Sequence, residues 1–263
     1  MRFDDLLALS LIQGVGDKTL KKAISYSSAN ELLSMSEDEL SDIFPNRKTA
    51  LIFAESFDAY RAKANEMHDS MSSHNAYILH CENSKYPQKL LSYPDYPVFL
   101  YCKGNLDLLN DVPCCAISGP RKPSQKGIFN AALTAQKLTE HGFAVVSGLA
   151  LGIDTVTHTS ALKNGCTIAV LPFFSPIYPP QNNELSKRIS ENQGLMISPS
   201  YSQYNIKFQL LFRDKIIVNL SDSLYIPDCY ETDSGTAYTV NYALKCQKTV
   251  YIHKNGKYTK LCE

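Results

Sequence analysis

The sequence predicts an α/β fold, a mostly parallel sheet flanked by helices, with a small all-helical domain ahead of it. Three observations carry this expectation. Beyond Val112, short apolar runs alternate with amphipathic stretches of helical spacing, the pattern of parallel strands joined by crossover helices. The first two of these runs end in turns of Ser and Gly. The first 75 or so residues carry helical apolar spacing and no strand-like alternation.

In the helical domain, residues 1–75, the apolar set Leu6, Leu7, Leu9, Leu11 and Ile12 precedes Gly14-Val15-Gly16, and Thr19, Leu20, Ala23 and Ile24 follow it. Further helices are expected from Ala29 to Phe44 and from Thr49 to His68. Ser36 ahead of Glu39 has the spacing of a capping box, and Pro45-Asn46 is a break. Residues 76–112, with Pro87, Pro94 and Pro97, read as an extended connector packed on the next domain. Residues 113–263 form that domain. Its strands are expected at Cys114–Ser118, Ala144–Ser147, Thr167–Leu171, Leu195–Ser198, Ser223–Ile226 and Thr249–His253, all parallel, with a helix in each interval. The chain ends within about ten residues of the last strand, so no third domain is expected.

The 263 residues are enough for two domains with real cores, and 44% hydrophobic with 20% charged residues excludes disordered and fibrous classes. Basic and acidic residues balance at 26 each, so no whole-molecule field draws the chain onto a polyanion or an anionic membrane; any such ligand needs a local site. Eight cysteines show neither C-x-x-C pairs nor zinc spacing, and are read as reduced thiols with no metal. The start, MRFDDLLALSLIQGVG, has acids where a signal peptide needs bases, and no run of 18 apolar residues occurs, so a cytoplasmic protein without a membrane segment is expected.

The chemistry concentrates in turns. Ser118-Gly119-Pro120-Arg121-Lys122-Pro123-Ser124-Gln125-Lys126-Gly127 follows the first strand and leads into a helix running to about His141. Small residues let backbone N–H groups approach an anion, Ser124 can cap the helix, and Arg121 beside Lys122 offers a two-pronged phosphate contact. A plain turn with solvated Arg and Lys would use the same residues. Ser147-Gly148-Leu149-Ala150-Leu151-Gly152-Ile153-Asp154 follows the next strand and opens a helix containing His158. Two such turns on neighbouring parallel strands converge at the carboxyl ends of a Rossmann-like sheet, where ligands bind. Asp154 equally suits a helix start favoured by the dipole, and His158 a buried, satisfied histidine.

A third group, Arg213-Asp214-Lys215, and a fourth, Thr232-Asp233-Ser234-Gly235-Thr236-Ala237, are expected after strands on the same sheet edge. In the fourth, Ser234, Gly235 and Thr236 could cap the last helix alone or bind an anion as well. No G-x-G-x-x-G with a following ribose-binding acid is present, which argues against NAD, and no Walker loop supports ATPase chemistry.

In this order these residues resemble the DprA/Smf family of DNA-processing proteins. The resemblance rests on Tyr86-Pro87-Gln88-Lys89-Leu90-Leu91, Pro97 to Gly104, Ser118-Gly119-Pro120-Arg121 with Ser124 and Gly127, and above all Val145 to Asp154 with His158, Ala161-Leu162 and Thr167 to Leu171. Tyr178-Pro179, Asn183-Glu184-Leu185 and an N-terminal Gly14-Val15-Gly16 like that family's SAM-like or helix-hairpin-helix module extend it. The resemblance implies a Rossmann-like domain that binds single-stranded DNA without catalysis or cofactor, helps load a RecA-type recombinase during natural transformation, and forms a homodimer. On that reading the phosphate-binding residues are Ser118, Gly119, Arg121, Lys122, Ser124, Ser147, Gly148, Gly152, Asp154, His158, Arg213, Lys215, Ser234, Gly235 and Thr236. Phe173, Phe174, Tyr178 and Phe212 are the candidates for base stacking.

Three departures qualify the match. The family's R-N-R triplet is here Arg213-Asp214-Lys215; Pro199, and Pro227-Asp228, stand where strands usually end in glutamate; and the winged-helix extension of many members is not expected. These departures keep a second reading open, a nucleotide-binding or nucleotide-cleaving enzyme or sensor, with phage defence as one setting and Asp154, His158 and Glu231 as acid–base residues. A third is a protein-interaction module with a silenced pocket.

Overall fold

A computed structural model describes residues 1–232, 234–254 and 256–261, and divides them into two compact units. The first comprises residues 1–80 and 95–98. Its helices are α1 (Phe3–Ser10), α2 (Asp17–Ala23), α3 (Ala29–Leu33), α4 (Glu37–Ile43) and α5 (Arg47–Ser73), followed by strand β1 (Ala76–His80). The stretch expected as helix from Ala29 to Phe44 is broken at Ser34–Ser36, because Ser36 and Glu39 form a capping box that starts α4 anew. Leu6, Leu7, Leu9, Leu32, Phe53 and Phe57 are buried and make the core. Asp5, 1% exposed, is held among them by Arg2 and Arg61, at 3.1 and 3.0 Å.

The second unit comprises residues 81–94 and 99–263. Its elements are α6 (Gln88–Leu91), β2 (Phe99–Gly104), β3 (Cys114–Ile117), α7 (Gln125–Glu140), β4 (Ala144–Ser147), α8 (Ile153–Ala161), β5 (Thr167–Val170), α9 (Asn183–Glu191), β6 (Leu195–Ser198), α10 (Ile206–Leu220), β7 (Ser223–Ile226), α11 (Gly235–Lys245), β8 (Thr249–Lys254) and β9 (Lys257–Leu261). Within the unit the strand order is β2-β6-β5-β4-β3-β7-β8-β9. The six strands expected from sequence are β3 to β8, and all run parallel. The sheet is extended at each edge by an antiparallel strand that was not expected, β2 beside β6 and β9 beside β8.

The strands from β3 to β6 are buried on both faces, which is why they read as unbroken apolar runs. One core cluster joins Ile117 and Val145 to Ala131 and Ala135 of α7 and to Ile153 and Ala161 of α8; another joins Leu149, Ala169, Leu171 and Met196 to Leu185 and Ile189 of α9. From β3 the chain winds outward through β4 and β5 to β6, then returns through α10 to β7 on the other side of β3 and winds outward again to β8. No helix among the described residues is long and apolar enough to cross a membrane.

Candidate functional site

The reversal of winding between β3 and β7 is a topological switch point. The loops after these two neighbouring strands diverge, and a crevice opens above their carboxyl ends. It measures about 660 Å³. The β3–α7 turn supplies Ser118, Gly119, Pro120, Arg121, Lys122 and Ser124; the β4–α8 turn supplies Ala150 and Asp154; α10 supplies Arg213 and Asp214; the loop after β7 and the head of α11 supply Asp228 to Glu231, Ser234, Gly235, Thr236 and Thr239. A second compartment of about 280 Å³, with Leu151, Tyr178, Pro179, Pro180 and Leu210 in its wall, shares Arg121, Ala150 and Arg213 with the first.

The first turn is anchored by Ser118 N–H, which donates to Tyr225 O of β7 at 3.1 Å. Ser124 caps α7, its Oγ accepting from Gly127 N–H at 2.9 Å. The Asp228 carboxylate lies against this cap, accepting from Ser124 N–H and Ser124 Oγ–H at 2.7 and 2.8 Å. Arg121 and Lys122 are exposed at the lip of the crevice.

The second turn folds inward. Leu149, fully buried, has φ +57°, and Gly152 has φ +82° with its α-carbon packed so closely on the first turn that a Cβ would stand 2.5 Å from Pro120 O. Such a backbone needs internal bracing, and two side chains provide it. Asp154 Oδ2 accepts from Gly148 N–H and Ala150 N–H, each at 3.2 Å. Leu149 N–H donates to His158 Nε2 at 3.3 Å, so the ring proton sits on Nδ1 and is donated to Thr167 Oγ1 at 2.8 Å, which donates in turn to Val145 O. Burial, with the nearby Arg213 charge, pushes the His158 pKa down to about 3, so the imidazole is neutral. Asn182, buried, adds a bond from Nδ2 to Leu149 O at 2.8 Å, and Ser147 Oγ donates to Ile117 O.

Arg213-Asp214-Lys215 does not follow a strand as expected; it lies in the middle of α10. Arg213 is 6% exposed and its guanidinium packs over Gly148, where any Cβ would collide with Nη1. It faces two carboxylates, Asp214 at 3.2 Å and Asp154 at 3.7 Å. Burial raises both acids, Asp214 to about 6, while Arg213 pulls each back down. Lys215, two residues on and therefore about 200° round the helix, sits over the Tyr242 ring of α11, 5.4 Å from its centroid, outside the crevice lining.

The structure thus brings Ser118, Gly119, Arg121, Lys122, Ser124, Asp154, Arg213, Ser234, Gly235 and Thr236 to one crevice. Gly148 borders the smaller compartment. Ser147, Gly152, His158 and Lys215 line neither; the first three build the second turn. Ser234 caps α11 by accepting from Ala237 N–H at 3.2 Å, and Asp233 beside it lies outside the described residues. Of the aromatic residues, Phe173 is core at 1% exposed, Phe174 packs against Tyr101 and Tyr201, Phe212 stacks on Phe208, and Tyr178 faces the smaller compartment. The acid–base set Asp154, His158 and Glu231 does not assemble, since His158 is wholly buried and committed to Leu149 and Thr167. Asp228 and Asn182 were not foreseen in these roles; the sole signal for the first was an acid just past a strand end.

Comparison with known proteins agrees with this architecture. Protein Smf of Synechocystis sp. is 34% identical over 189 residues, 69% of this chain and 47% of the relative. DNA processing protein DprA of Streptococcus pneumoniae is 34% identical over 168 residues, 63% of this chain and 58% of the relative, so the chain spans about half the length of these curated relatives. The X-ray structure of the S. pneumoniae DprA superposes with a TM-score of 0.76 at 27% identity, covering 96% of this chain and 86% of that one. The DNA processing protein A of Helicobacter pylori, whose structure was described for its single-stranded DNA binding mode, superposes with a TM-score of 0.61 at 30% identity over 70% of this chain and 83% of that one. A family model, DNA recombination-mediator protein A, matches residues 77–261, and the chain belongs to that DprA/Smf family.

Proposed function

We propose that this chain holds the phosphate backbone of single-stranded DNA in the switch-point crevice, catalyses no reaction there, and passes the strand to a RecA-type recombinase, working in the cytoplasm as a homodimer. The observation that carries the reading is the placement of exposed Arg121 and Lys122 at the mouth of a crevice built on the amino end of the 16-residue helix α7. The aligned peptide dipoles favour an anion there, and phosphate contacts of this kind position a strand without reading its sequence. The adjoining compartment bordered by Tyr178 and two prolines supplies an apolar surface for a base. The H. pylori relative that binds single-stranded DNA shares the fold over most of this chain.

The crevice is not a simple cationic groove. Arg121, Lys122 and Arg213 stand against Asp154, Asp214, Asp228 and Glu231, so repulsion from the acids offsets much of the attraction. Affinity for a polyanion therefore rests on the two exposed cations. Arg121→Ala is expected to weaken oligo(dT) binding roughly tenfold and to reduce the slope of log K against log salt by about one, with thermal stability unchanged. Lys215→Ala, on the far side of α10, is expected to have a much smaller effect. Fluorescence anisotropy across a salt series, run with single-stranded DNA, single-stranded RNA and mononucleotides, makes the test; an affinity untouched by Arg121→Ala would overturn the reading. A shallow salt slope with tight mononucleotide binding would favour the nucleotide-sensor reading instead.

A further inference from the structure

Asp228 does something that neither its neighbours nor the strand end requires. The β7–α11 loop leaves the sheet at Pro227, whose carbonyl is fixed by Asn130 Nδ2 of α7 at 3.1 Å. One residue later the Asp228 carboxylate turns onto the first turn of α7 and collects three donors: Ser124 N–H at 2.7 Å, Ser124 Oγ–H at 2.8 Å and Cys229 N–H at 2.9 Å. The carboxylate sits so close over α7 that a Cβ at Gly127 would collide with it. Two anionic oxygens converging on a serine hydroxyl and a backbone N–H at a helix start is the arrangement a phosphate would adopt at the same place.

We propose that Asp228 is a built-in occupant of this phosphate seat, a carboxylate latch that a ligand phosphate must displace. The proposal rests on the reading of the crevice as a phosphate site. A second observation concerns the same crevice: Arg213, more than nine-tenths buried and part of the lining, has an Nε–H with no hydrogen-bond partner among the described residues. A backbone phosphodiester carries one negative charge and two non-bridging oxygens, as the carboxylate does, and its advantage is that it can engage Ser124 and Arg121 together. Displacing Asp228 removes its hold on the β7–α11 loop, whose other ties among the described residues include Asn130 Nδ2 on Pro227 O and the Ser234 N–H and Oγ–H on Glu231 O. The latch therefore sets a threshold: isolated or weakly held phosphates leave the seat closed, and a strand anchored also at Arg121 and Lys122 opens it.

Asp228→Asn keeps the size and removes the charge, and Asp228→Ala empties the seat. Both variants, with wild type and Arg121→Ala, are titrated with oligo(dT) by anisotropy over a salt series, and their unfolding is followed in parallel. The latch predicts that Asp228→Asn binds roughly three- to tenfold more tightly than wild type, with a salt slope steeper by about one as a further phosphate is seated. Asp228→Ala, folded by the same unfolding measurement, should show the same sign. If Arg121→Ala weakens binding but the Asp228 variants bind equally or less well, the latch is refuted and the crevice reading stands. If no form binds, or all bind alike regardless of Arg121, both fall. Tight binding by the Asp228 variants alone supports the latch in its strongest form.

Discussion

Arg213→Ala is expected to lower the free energy of unfolding by about 3–5 kcal/mol at neutral pH, the range for removing one member of a buried ion pair. The guanidinium is 6% exposed and faces Asp214 at 3.2 Å and Asp154 at 3.7 Å, so its loss leaves two carboxylates in a site that water barely reaches. The alternative to paying that desolvation is protonation, and the variant should therefore lose less stability in acid than at neutral pH. Urea unfolding at pH 5 and pH 7.5 measures both effects. A change below about 1 kcal/mol at pH 7.5 would mean that the carboxylates are better solvated than their burial implies. Combining Arg213→Ala with Asp214→Asn should recover part of the loss, because the two residues interact directly and their effects cannot add.

Asp214→Asn is expected to have the opposite sign. Arg213 is shared by two acids, so one negative charge is in excess, and burial raises the Asp214 pKa to about 6 in the folded chain, against about 3.9 for an unfolded aspartate. Between these values the native state binds the proton more tightly than the unfolded state does. Stability contributed at this position is thus greatest when both states are protonated, falls as pH rises from about 4 to about 6, and stays reduced above it. The penalty at neutral pH is on the order of 2–3 kcal/mol. Asparagine removes it, and the gain in unfolding free energy should be full at pH 7.5 and fade toward zero near pH 4. A gain that is constant across that range would locate the effect in packing rather than in the proton. The same substitution makes the crevice less acidic, and tighter oligo(dT) binding above pH 6 is the accompanying expectation.

The parallel core of the sheet was legible because strands buried on both faces leave unbroken apolar runs, and the ends of β4, β6 and β7 coincide with those expected. The edge strands were not. Phe99–Gly104 lies among prolines and tyrosines that resemble a connector, and Lys257–Leu261 carries the lysines with which an edge strand blocks further pairing. The first turn at the site was legible for a local reason: small residues, a cap and two cations lie within seven positions. The second turn was recognised as special, but sequence alone does not tell that Asp154 and His158 point back at Gly148, Leu149 and Ala150. The Arg213 triplet needed only the helical period, which sends Arg213 and Lys215 to different faces. Asp228 was visible as an oddity at a strand end, and its meaning depended on the pairing of β3 with β7 that no local pattern encodes.

The fit of the Arg213 guanidinium over Gly148 bears on how newly sequenced relatives are interpreted. An arginine wedged against a bare α-carbon and answered by two carboxylates persists for architectural reasons, and would be kept by a descendant that had abandoned its ligand altogether. Arg121 is exposed at the mouth of the crevice. Its retention or loss across a set of genomes is therefore the more telling marker of the proposed DNA binding.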